Sequence, residues 1–319
     1  MPTRRTRSSR SGPSFPRLKL ALWFNAMLAA ALGLWFVLQP PDRRAEVTQL
    51  LENALRDDKQ VRLTDVVWDL YQFYYGGGYV IAPEVAAEAH AIGGLPDSAS
   101  LAHPVRTLPN TGYTVGYSDS LGSPVWAAYR VADTQERRTA PERPDRFEVD
   151  RRTSARVGPE VYTGSGFDRG HLAPNYAIAT RYGDRAQRET FLMSNIVPQR
   201  PGLNSGAWRE LEQRIAINYP ARYGEVWVVA GPIFRSPVQR LRNAAAVPEA
   251  FFMIIADLSG DRLRAQAFVF PQDFPAATDP SVALVSVDEI EARTGLDFFP
   301  ALPDVAEANL ESHRPSRAW

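Results

Sequence analysis

The feature of this chain that most constrains its fold is a series of short β-type runs beyond residue 105. Five such runs stand between turn signals and are rich in β-branched and aromatic residues, at positions 113–117, 125–131, 226–230, 251–256 and 264–270. Helical patterns are fewer there, and the clearest, over residues 204–219, carries one apolar stripe. Strands that predominate around a few helices predict an α+β domain with a central, mostly antiparallel sheet.

A second strong feature is the apolar run at residues 20–38. Asn25 is its only strongly polar member, and 19 residues at about 1.5 Å each come close to the roughly 30 Å hydrocarbon core of a bilayer. Residues 1–19 hold six basic and no acidic side chains, so the positive-inside rule keeps this tail in the cytoplasm. A cleaved signal peptide is the alternative, but the run is long for one and no small-x-small cleavage site follows it. We therefore expect a basic cytoplasmic tail, an uncleaved transmembrane signal anchor that binds the membrane, and export of everything after Pro40 to the periplasmic or extracytoplasmic side.

Residues 41–104 separate this run from the β-rich region. An amphipathic stripe over 42–55 and a second pattern near 65–75 predict two helices, and three glycines at 76–78 end the second helix. The remainder is rich in Ala, Gly and Pro without a clear period. We predict a helical spacer or packing subdomain here, to which the sequence assigns no function.

The composition excludes several kinds of active site. Cysteine is absent, so there is no disulfide, no thiolate nucleophile and no Cys-based zinc site. Neither a His-Glu-x-x-His nor a Gly-x-Ser-x-Gly motif is present, which argues against a metalloprotease or a serine hydrolase. The 36 basic residues less the six of the tail leave 30 against 36 acidic residues, so contact with nucleic acid depends on a local basic patch.

Residues that can carry chemistry concentrate in one segment. Asp168, Arg169 and His171 occupy three of four consecutive positions. An acid, a guanidinium and an imidazole so close together are costly to bury without a function. Asn204 opens the predicted helix that follows, and Glu212 lies eight residues further along it.

Three motifs in this segment resemble those of a known family. They read Asp-Arg-Gly-His-x-Ala-Pro at 168–174, Ser-Asn-x-x-Pro-Gln at 194–199 and Leu-Asn-x-Gly-x-Trp at 203–208. In this order and spacing they resemble the DNA/RNA non-specific endonucleases, which are endonuclease G-like nucleases of the ββα-metal or His-Me finger type. Further agreement is found at 229–234, 247–251 and 294–300. The resemblance covers about residues 105–303, which we predict to be an endonuclease domain with a ββα-metal active site, followed by a C-terminal tail at 304–319.

Hydrolysis of a phosphodiester requires a base that activates water, a cation that neutralises the transition state and stabilisation of the leaving oxygen. His171 is the natural base, because it is the only His in the motifs and its unperturbed pKa lies nearest neutrality. The resemblance implies that Asn204 is the one direct protein ligand of a hydrated Mg²⁺, for which Mn²⁺ could substitute. By position alone, an N-cap of the predicted helix is an open alternative for Asn204.

The other candidates take their roles from the resemblance. Glu212 is expected to hold a metal-bound water or an active-site Arg, with a solvated surface Glu as the alternative. Asp168 is expected to orient the loop, and Asn195 to support His171 or Asn204 from behind the site.

Arginine is the expected partner of the substrate phosphate. Arg169 matches a family Arg that contacts it, and a planar guanidinium suits bidentate recognition. A further upstream Arg is implied, and residues 137–156 carry seven Arg against four acids. Arg143 and Arg146 are the candidates, between which the spacing does not choose, and a solvated charged loop stays an alternative for this segment.

The sequence thus predicts a membrane-anchored, Mg²⁺-dependent endonuclease that hydrolyses DNA and RNA. The alternative, from a different class, is a catalytically silent nucleic-acid or envelope-binding module that kept the fold. The joint presence of His171, Arg169, Asn204 and Glu212 argues against that alternative. A homodimer is left open, and the sequence specifies no protein inhibitor.

Overall fold

The computed structural model describes residues 15–55, 63–75, 78–82, 85, 90–134 and 139–319. Residues 1–14 of the predicted basic tail and parts of the predicted 41–104 segment lie outside these ranges. The chain divides into two compact units, Met1–Gln49 and Leu50–Trp319. The second unit contains all of the predicted nuclease domain.

Nine helices are found in the described part of the chain. They are α1 Phe15–Val37, α2 Pro41–Leu55, α3 Leu63–Tyr75, α4 Asn175–Thr190, α5 Pro201–Ser205, α6 Ala207–Gln213, α7 Tyr219–Tyr223, α8 Val287–Thr294 and α9 Asp304–Glu311. The two helices predicted between residues 42 and 75 correspond to α2 and α3.

The strands of the described residues form one large sheet and two small ones. They are β1 Tyr79–Ile81, β2 Arg106–Pro109, β3 Thr114–Ser118, β4 Ser123–Ala132, β5 Asp168–His171, β6 Ile196–Gln199, β7 Glu225–Ile233, β8 Gln239–Leu241, β9 Ala245–Val247, β10 Ala250–Ser259, β11 Arg262–Pro271 and β12 Leu284–Val285. The large sheet has eight strands in the order β1-β11-β10-β7-β4-β3-β2, with β12 on β11, and its strand pairs are antiparallel. The predicted α+β fold with a central antiparallel sheet is therefore confirmed.

The central sheet is covered on both faces. Strand β10 shows this best, because its side chains alternate between two hydrophobic cores. Phe251 and Met253 pack into one core, and Phe252 and Ile254 pack into the other. The first core also contains Trp208 of α6. The burial of this side chain packs α6, and with it the active-site segment, against that face of the sheet.

The predicted helix over residues 204–219 is broken into α5, α6, a π-helical turn at Arg214–Asn218 and α7. The first break lies at Gly206, where a Cβ would stand 2.4 Å from the carbonyl oxygen of Gly202. The π-helical turn precedes Pro220. Because proline has no N–H, the carbonyl of Ala216, four residues earlier, lacks the hydrogen bond that it would accept in a regular α-helix. The carbonyl of Ala216 instead accepts a hydrogen bond from Arg181 Nη2.

The predicted transmembrane helix is wrong. Within the described residues, no helix is both long enough and apolar enough to cross a membrane. Helix α1 contains the polar residues Lys19 and Asn25. The apolar stretch after Asn25 is 12 residues long, 26–37, whereas a span across a bilayer requires about 20 apolar residues. The exported location was inferred from this helix and stays a prediction.

Two outlying segments pack onto the nuclease domain. Asp69 of α3 is buried and accepts hydrogen bonds from Arg222 Nε at 3.0 Å and from the Tyr223 hydroxyl at 2.9 Å. Residues 304–311 form α9, whose Leu310 is buried in the second core. Residues that were predicted as spacer and tail therefore contribute helices to the same compact unit.

Candidate active site

Strands β5 and β6 and helix α5 build the predicted site. The two strands form an antiparallel pair apart from the central sheet, with His171 opposite Ile196 and Asp168 opposite Gln199. Gly170 is favoured in this pair, because a Cβ there would stand 2.7 Å from Gln199 Cβ, which cannot swing away as the end of a side chain can. Helix α4 lies between the two strands in the chain, and α5 follows the second strand directly, so the paired strands and α5 have the arrangement expected of a ββα site.

A cleft of about 510 Å³ opens beside this unit. Five of the eight predicted site residues line it, namely Arg143, Arg169, His171, Asn204 and Glu212. They come from four separate stretches of the chain. Asp168 and Asn195 are not among the lining residues of the cleft, but both hold its components in place. Arg146 is exposed and does not line it either.

The imidazole of His171 is held between two aromatic rings. Its ring centre lies 5.5 Å from that of Phe147 and 5.1 Å from that of Phe191. Its Nε2 is buried and has no hydrogen-bond partner among the described residues. Burial, together with the nearby charge of Arg143, lowers the pKa of His171 to about 3. The ring is therefore neutral at neutral pH, which is the form that can accept a proton.

Asn204 is oriented by Asp168. The Asn204 Nδ2 donates a hydrogen bond to Asp168 Oδ2 at 2.9 Å, which leaves the amide oxygen as the end that can bind a cation. Asn204 lies inside α5, and its own N–H donates to the carbonyl of Arg200, which is the N-cap residue. Because the helix begins earlier than the pattern predicted, capping by Asn204 is not observed.

Glu212 faces the cleft from α6. Its Oε1 accepts a hydrogen bond from Trp208 Nε1 at 3.0 Å, one helical turn earlier. Burial raises the pKa of Glu212 to about 8, against the opposing effects of the Trp208 hydrogen bond and of Arg209 and Arg143. Glu212 is thus not a solvated surface residue.

Asn195 holds the backbone that follows His171. Its Oδ1 accepts from the N–H of Ala173 at 2.9 Å, and its Nδ2 donates to the carbonyls of Ala173 and Thr190, both at 3.0 Å. Its own carbonyl accepts from the N–H of Leu172 at 3.1 Å. Asn195 therefore fixes the end of β5, and through it the position of the imidazole, by hydrogen bonds to the backbone of residues 172 and 173.

The neighbouring Ser194 is held by a buried carboxylate. Asp150 accepts hydrogen bonds from the Ser194 hydroxyl at 2.6 Å and from Arg152 Nη2 at 2.7 Å. Burial alone would raise the pKa of Asp150, but these hydrogen bonds outweigh it and hold the pKa below its usual range. Asp150 thus connects the segment that precedes the first motif to Ser194, the first residue of the second motif.

The guanidinium of Arg169 is positioned by the loop beside β5. Its Nη2 donates to the carbonyl of Pro159 at 2.7 Å and to Thr163 Oγ1 at 3.1 Å. Its central carbon lies 5.7 Å from the ring centre of Phe147, and its Nε has no hydrogen-bond partner among the described residues. Because Arg169 also lines the cleft, an anion that enters there could reach its guanidinium group.

The arginines of the basic segment at 137–156 lie in different surroundings. Arg143 lies 5.2 Å from the ring centre of Phe191 and lines the cleft, whereas Arg146 does not. Arg152 is paired with Asp150. Residues 137–138 lie outside the described ranges. Geometry therefore favours Arg143 over Arg146 as the upstream cation.

Arg209 and Asn175 also line the cleft and were not predicted as site residues. Arg209 lies on α6, three residues before Glu212 and so on the same helix face, which is a signal that the sequence did contain. Asn175 follows the first motif directly, and its buried Oδ1 has no hydrogen-bond partner among the described residues. With Arg143, Arg169 and Arg209, the cleft is the local basic patch predicted for a chain that has 30 basic against 36 acidic residues beyond its tail.

Comparison with known proteins identifies the same family that the three motifs resemble. The sequence model of the DNA/RNA non-specific endonuclease family matches residues 100–305. A nuclease of Nostoc sp. is 30% identical over 250 residues, which cover 73% of this chain and 87% of that protein. A nuclease of Serratia marcescens is 34% identical over 165 residues, covering 49% of this chain and 61% of that protein. Human mitochondrial endonuclease G is 36% identical over 155 residues, covering 44% of this chain and 50% of that protein.

A solved structure extends the similarity to the fold. The crystal structure of the EndoG/EndoGI complex, which concerns the mechanism of EndoG inhibition, matches with a TM-score of 0.55 and 26% identity. The match covers 62% of this chain and 86% of that chain. The chain therefore belongs to the DNA/RNA non-specific endonuclease family and is an enzyme that hydrolyses nucleic acids.

Proposed function

We propose that this chain is a Mg²⁺-dependent endonuclease that cuts both DNA and RNA, with His171 as the general base that activates water. The observation that carries the proposal is the single cleft into which four stretches of chain bring His171, Asn204, Glu212 and two guanidinium groups. A silent binding module has no need for a neutral imidazole and an oriented amide in the same cleft.

The side chains of the cleft fit a divalent cation, on which nucleases of this family depend. Asp168 occupies the donor end of the Asn204 amide, and the carboxylate of Glu212 lies along the same cleft. Oxygen donors and few direct protein ligands are what Mg²⁺ prefers, and Mn²⁺ accepts the same donors. Asn204 would hold this cation through its amide oxygen, and the cation would neutralise the charge that develops on the phosphoryl and leaving oxygens.

His171 is suited to take a proton from water. Phe147 and Phe191 fix the plane of its ring, and Asn195 fixes the backbone that follows it. In the protein alone the pKa of His171 is far below neutrality. A phosphate anion bound beside the ring favours its protonated form, which raises its pKa and strengthens it as a base when substrate is present.

Arg169 and Arg143 would bind the phosphate, and Arg209 would extend the basic surface along the cleft. Guanidinium groups recognise phosphate oxygens in a bidentate manner. Such contacts carry no sequence information. Activation of water requires no ribose 2′-hydroxyl, so the proposal covers DNA and RNA alike.

The proposal is tested with supercoiled plasmid and with a structured RNA as substrates of the full chain. We expect both to be cut in Mg²⁺, neither to be cut in EDTA, and activity to return when Mg²⁺ is restored. His171→Ala should lower turnover by at least about 10²- to 10⁴-fold in both assays. Cleavage that persists in EDTA, or cleavage of RNA alone with 2′,3′-cyclic ends, would contradict the mechanism.

A further inference from the structure

Two exposed apolar side chains line the catalytic cleft. Among the described residues between 105 and 303, only three large hydrophobic side chains are exposed, namely Tyr176, Ile217 and Val282. Tyr176 is 46% exposed and Ile217 is 42% exposed, and both line the cleft that contains His171. Apolar side chains that stay open to water beside the reacting groups indicate a binding surface.

These two side chains come from elements that are fixed to each other. Ile217 belongs to the π-helical turn after α6, and it lies on the helix face that lines the cleft, at positions 209, 212, 213, 216 and 217. Tyr176 is the second residue of α4. Arg181 of α4 donates a hydrogen bond to the carbonyl of Ala216 in the turn, which joins the two elements. Tyr176 and Ile217, which we call the apolar rim, are therefore a preformed part of the cleft wall.

The apolar rim differs in chemistry from the rest of the cleft. Phosphate can be bound by three guanidinium groups, those of Arg143, Arg169 and Arg209. The rim instead offers an aromatic ring and a branched aliphatic chain, and Ile217 lies five residues beyond Glu212, or about 7.5 Å along a helix axis. A nucleotide has the same two parts, because its anionic phosphate is separated by one sugar from a base with apolar faces. The cleft therefore matches a whole nucleotide and not only its phosphate.

We propose that the apolar rim binds the base of a nucleotide beside the cleaved phosphate, with this base stacked on the ring of Tyr176, so that single-stranded nucleic acid is preferred to duplex. This inference rests on the nuclease function proposed above. Every base has a π-face, so stacking adds affinity without sequence preference. In a duplex the grooves present only the edges of the bases, and a base must first be unstacked before an aromatic ring can reach its face.

A nucleotide fits the apolar rim better than a protein partner does. The cleft has a volume of about 510 Å³, which lies within the range of about 300–1,000 Å³ that is usual for pockets that bind small ligands. A specific protein interface covers about 800 Å² on each partner, far more than two side chains supply. The guanidinium groups in the same cleft also favour an anionic ligand.

The test compares two single strands that have the same phosphates, one with bases and one without. They are a short oligodeoxythymidylate and an abasic oligomer of equal length, each with a fluorophore. Binding to the full chain is measured by fluorescence anisotropy in EDTA, in a His171→Ala background, so that cleavage does not interfere. We expect Tyr176→Ala to raise the Kd of the oligothymidylate about 5- to 100-fold and to leave that of the abasic oligomer nearly unchanged.

Three further variants serve as controls in the same assay. Tyr176→Phe keeps the ring and should bind both oligomers as the His171→Ala background does. Tyr71→Ala removes an exposed tyrosine of α3 outside the cleft and should also change neither Kd. Arg143→Ala should weaken binding of both oligomers alike, because it removes a phosphate contact that does not depend on the base.

Substrate preference in Mg²⁺ supplies a second readout, now with His171 intact. Tyr176→Ala should lower the ratio of kcat/KM for single-stranded to duplex DNA, mainly through KM, since the stacked base is bound before and during the chemical step. Ile217→Ser, at the other exposed position, should shift this ratio in the same direction.

The proposal would be overturned if Tyr176→Ala weakened binding of both oligomers equally or of neither. Tighter binding of duplex than of single-stranded DNA by the His171→Ala background would also overturn it. If the unmodified chain cleaved no nucleic acid in Mg²⁺, the proposed function would fail, while the anisotropy comparison would still decide whether the apolar rim binds a base.

Discussion

The hydrogen bond from Asn204 to Asp168 leads to a sharp prediction about metal affinity. Asp168→Ala removes the acceptor at 2.9 Å that orients the Asn204 amide, but it leaves the amide oxygen, His171 and Glu212 in place. Groups that orient a metal ligand typically contribute 10- to 100-fold to metal affinity. We therefore expect the Mg²⁺ concentration that gives half-maximal activity to rise about 10- to 100-fold, while the rate at saturating Mg²⁺ stays near that of the unmodified chain.

The assay is the initial rate of plasmid nicking across a Mg²⁺ series that extends well above the half-saturation point of the unmodified chain. Asp168→Asn keeps an oxygen acceptor at the same position and should show a smaller shift. Asp184→Ala, an exposed acid on α4 outside the cleft, serves as the control for loss of a surface carboxylate. A lower rate at saturating Mg²⁺ with unchanged half-saturation would refute the reasoning, because Asp168 would then act on the chemical step.

Three further predictions concern other parts of the site. His171→Ala should not be rescued by raising Mg²⁺, because proton transfer rather than metal binding is lost; partial rescue in the same nicking assay would count against its role as base. Arg143→Ala should weaken binding of a catalytically inactive chain to duplex DNA and lower its salt slope by about 0.9, whereas Arg146→Ala should change both little, as measured by fluorescence anisotropy across a salt series. The depressed pKa of Asp150 means that its carboxylate stabilises the fold above its ordinary pKa and that this contribution is lost as the pH falls through the lowered value. Asp150→Asn should therefore lower the urea midpoint at neutral pH and make it less sensitive to acid; equal acid sensitivity in both chains would exclude this role.

Local patterns were sufficient to predict the main elements and the motif residues. Five of the eight strands of the central sheet, β3, β4, β7, β10 and β11, follow from short runs of β-branched and aromatic residues, because a sheet buried on both faces requires such residues. The short strands β1, β2 and β12 were not predicted. His171 and Asn204 follow from motifs whose order and spacing the chain itself displays. The role expected of Asn204 came from the resemblance of these motifs to a known family, whereas that of His171 as a base also follows from the ordinary pKa of an imidazole.

Tertiary structure decided everything that depends on distance between remote parts of the chain. Arg143 and Arg146 are alike in sequence, and only packing places one of them in the cleft. The sequence predicted one continuous helix over residues 204–219. The apolar stripe on which this prediction rested contains no information about the close approach of Gly206 to neighbouring backbone. The cluster of five carboxyl groups between α8 and α9 was not anticipated, since Glu311 meets Asp288, Glu291, Asp297 and Glu307 only after the two helices pack on the sheet. Burial, charge pairing and pKa are sums over neighbours brought together by folding, and a local pattern in the sequence contains none of those distances.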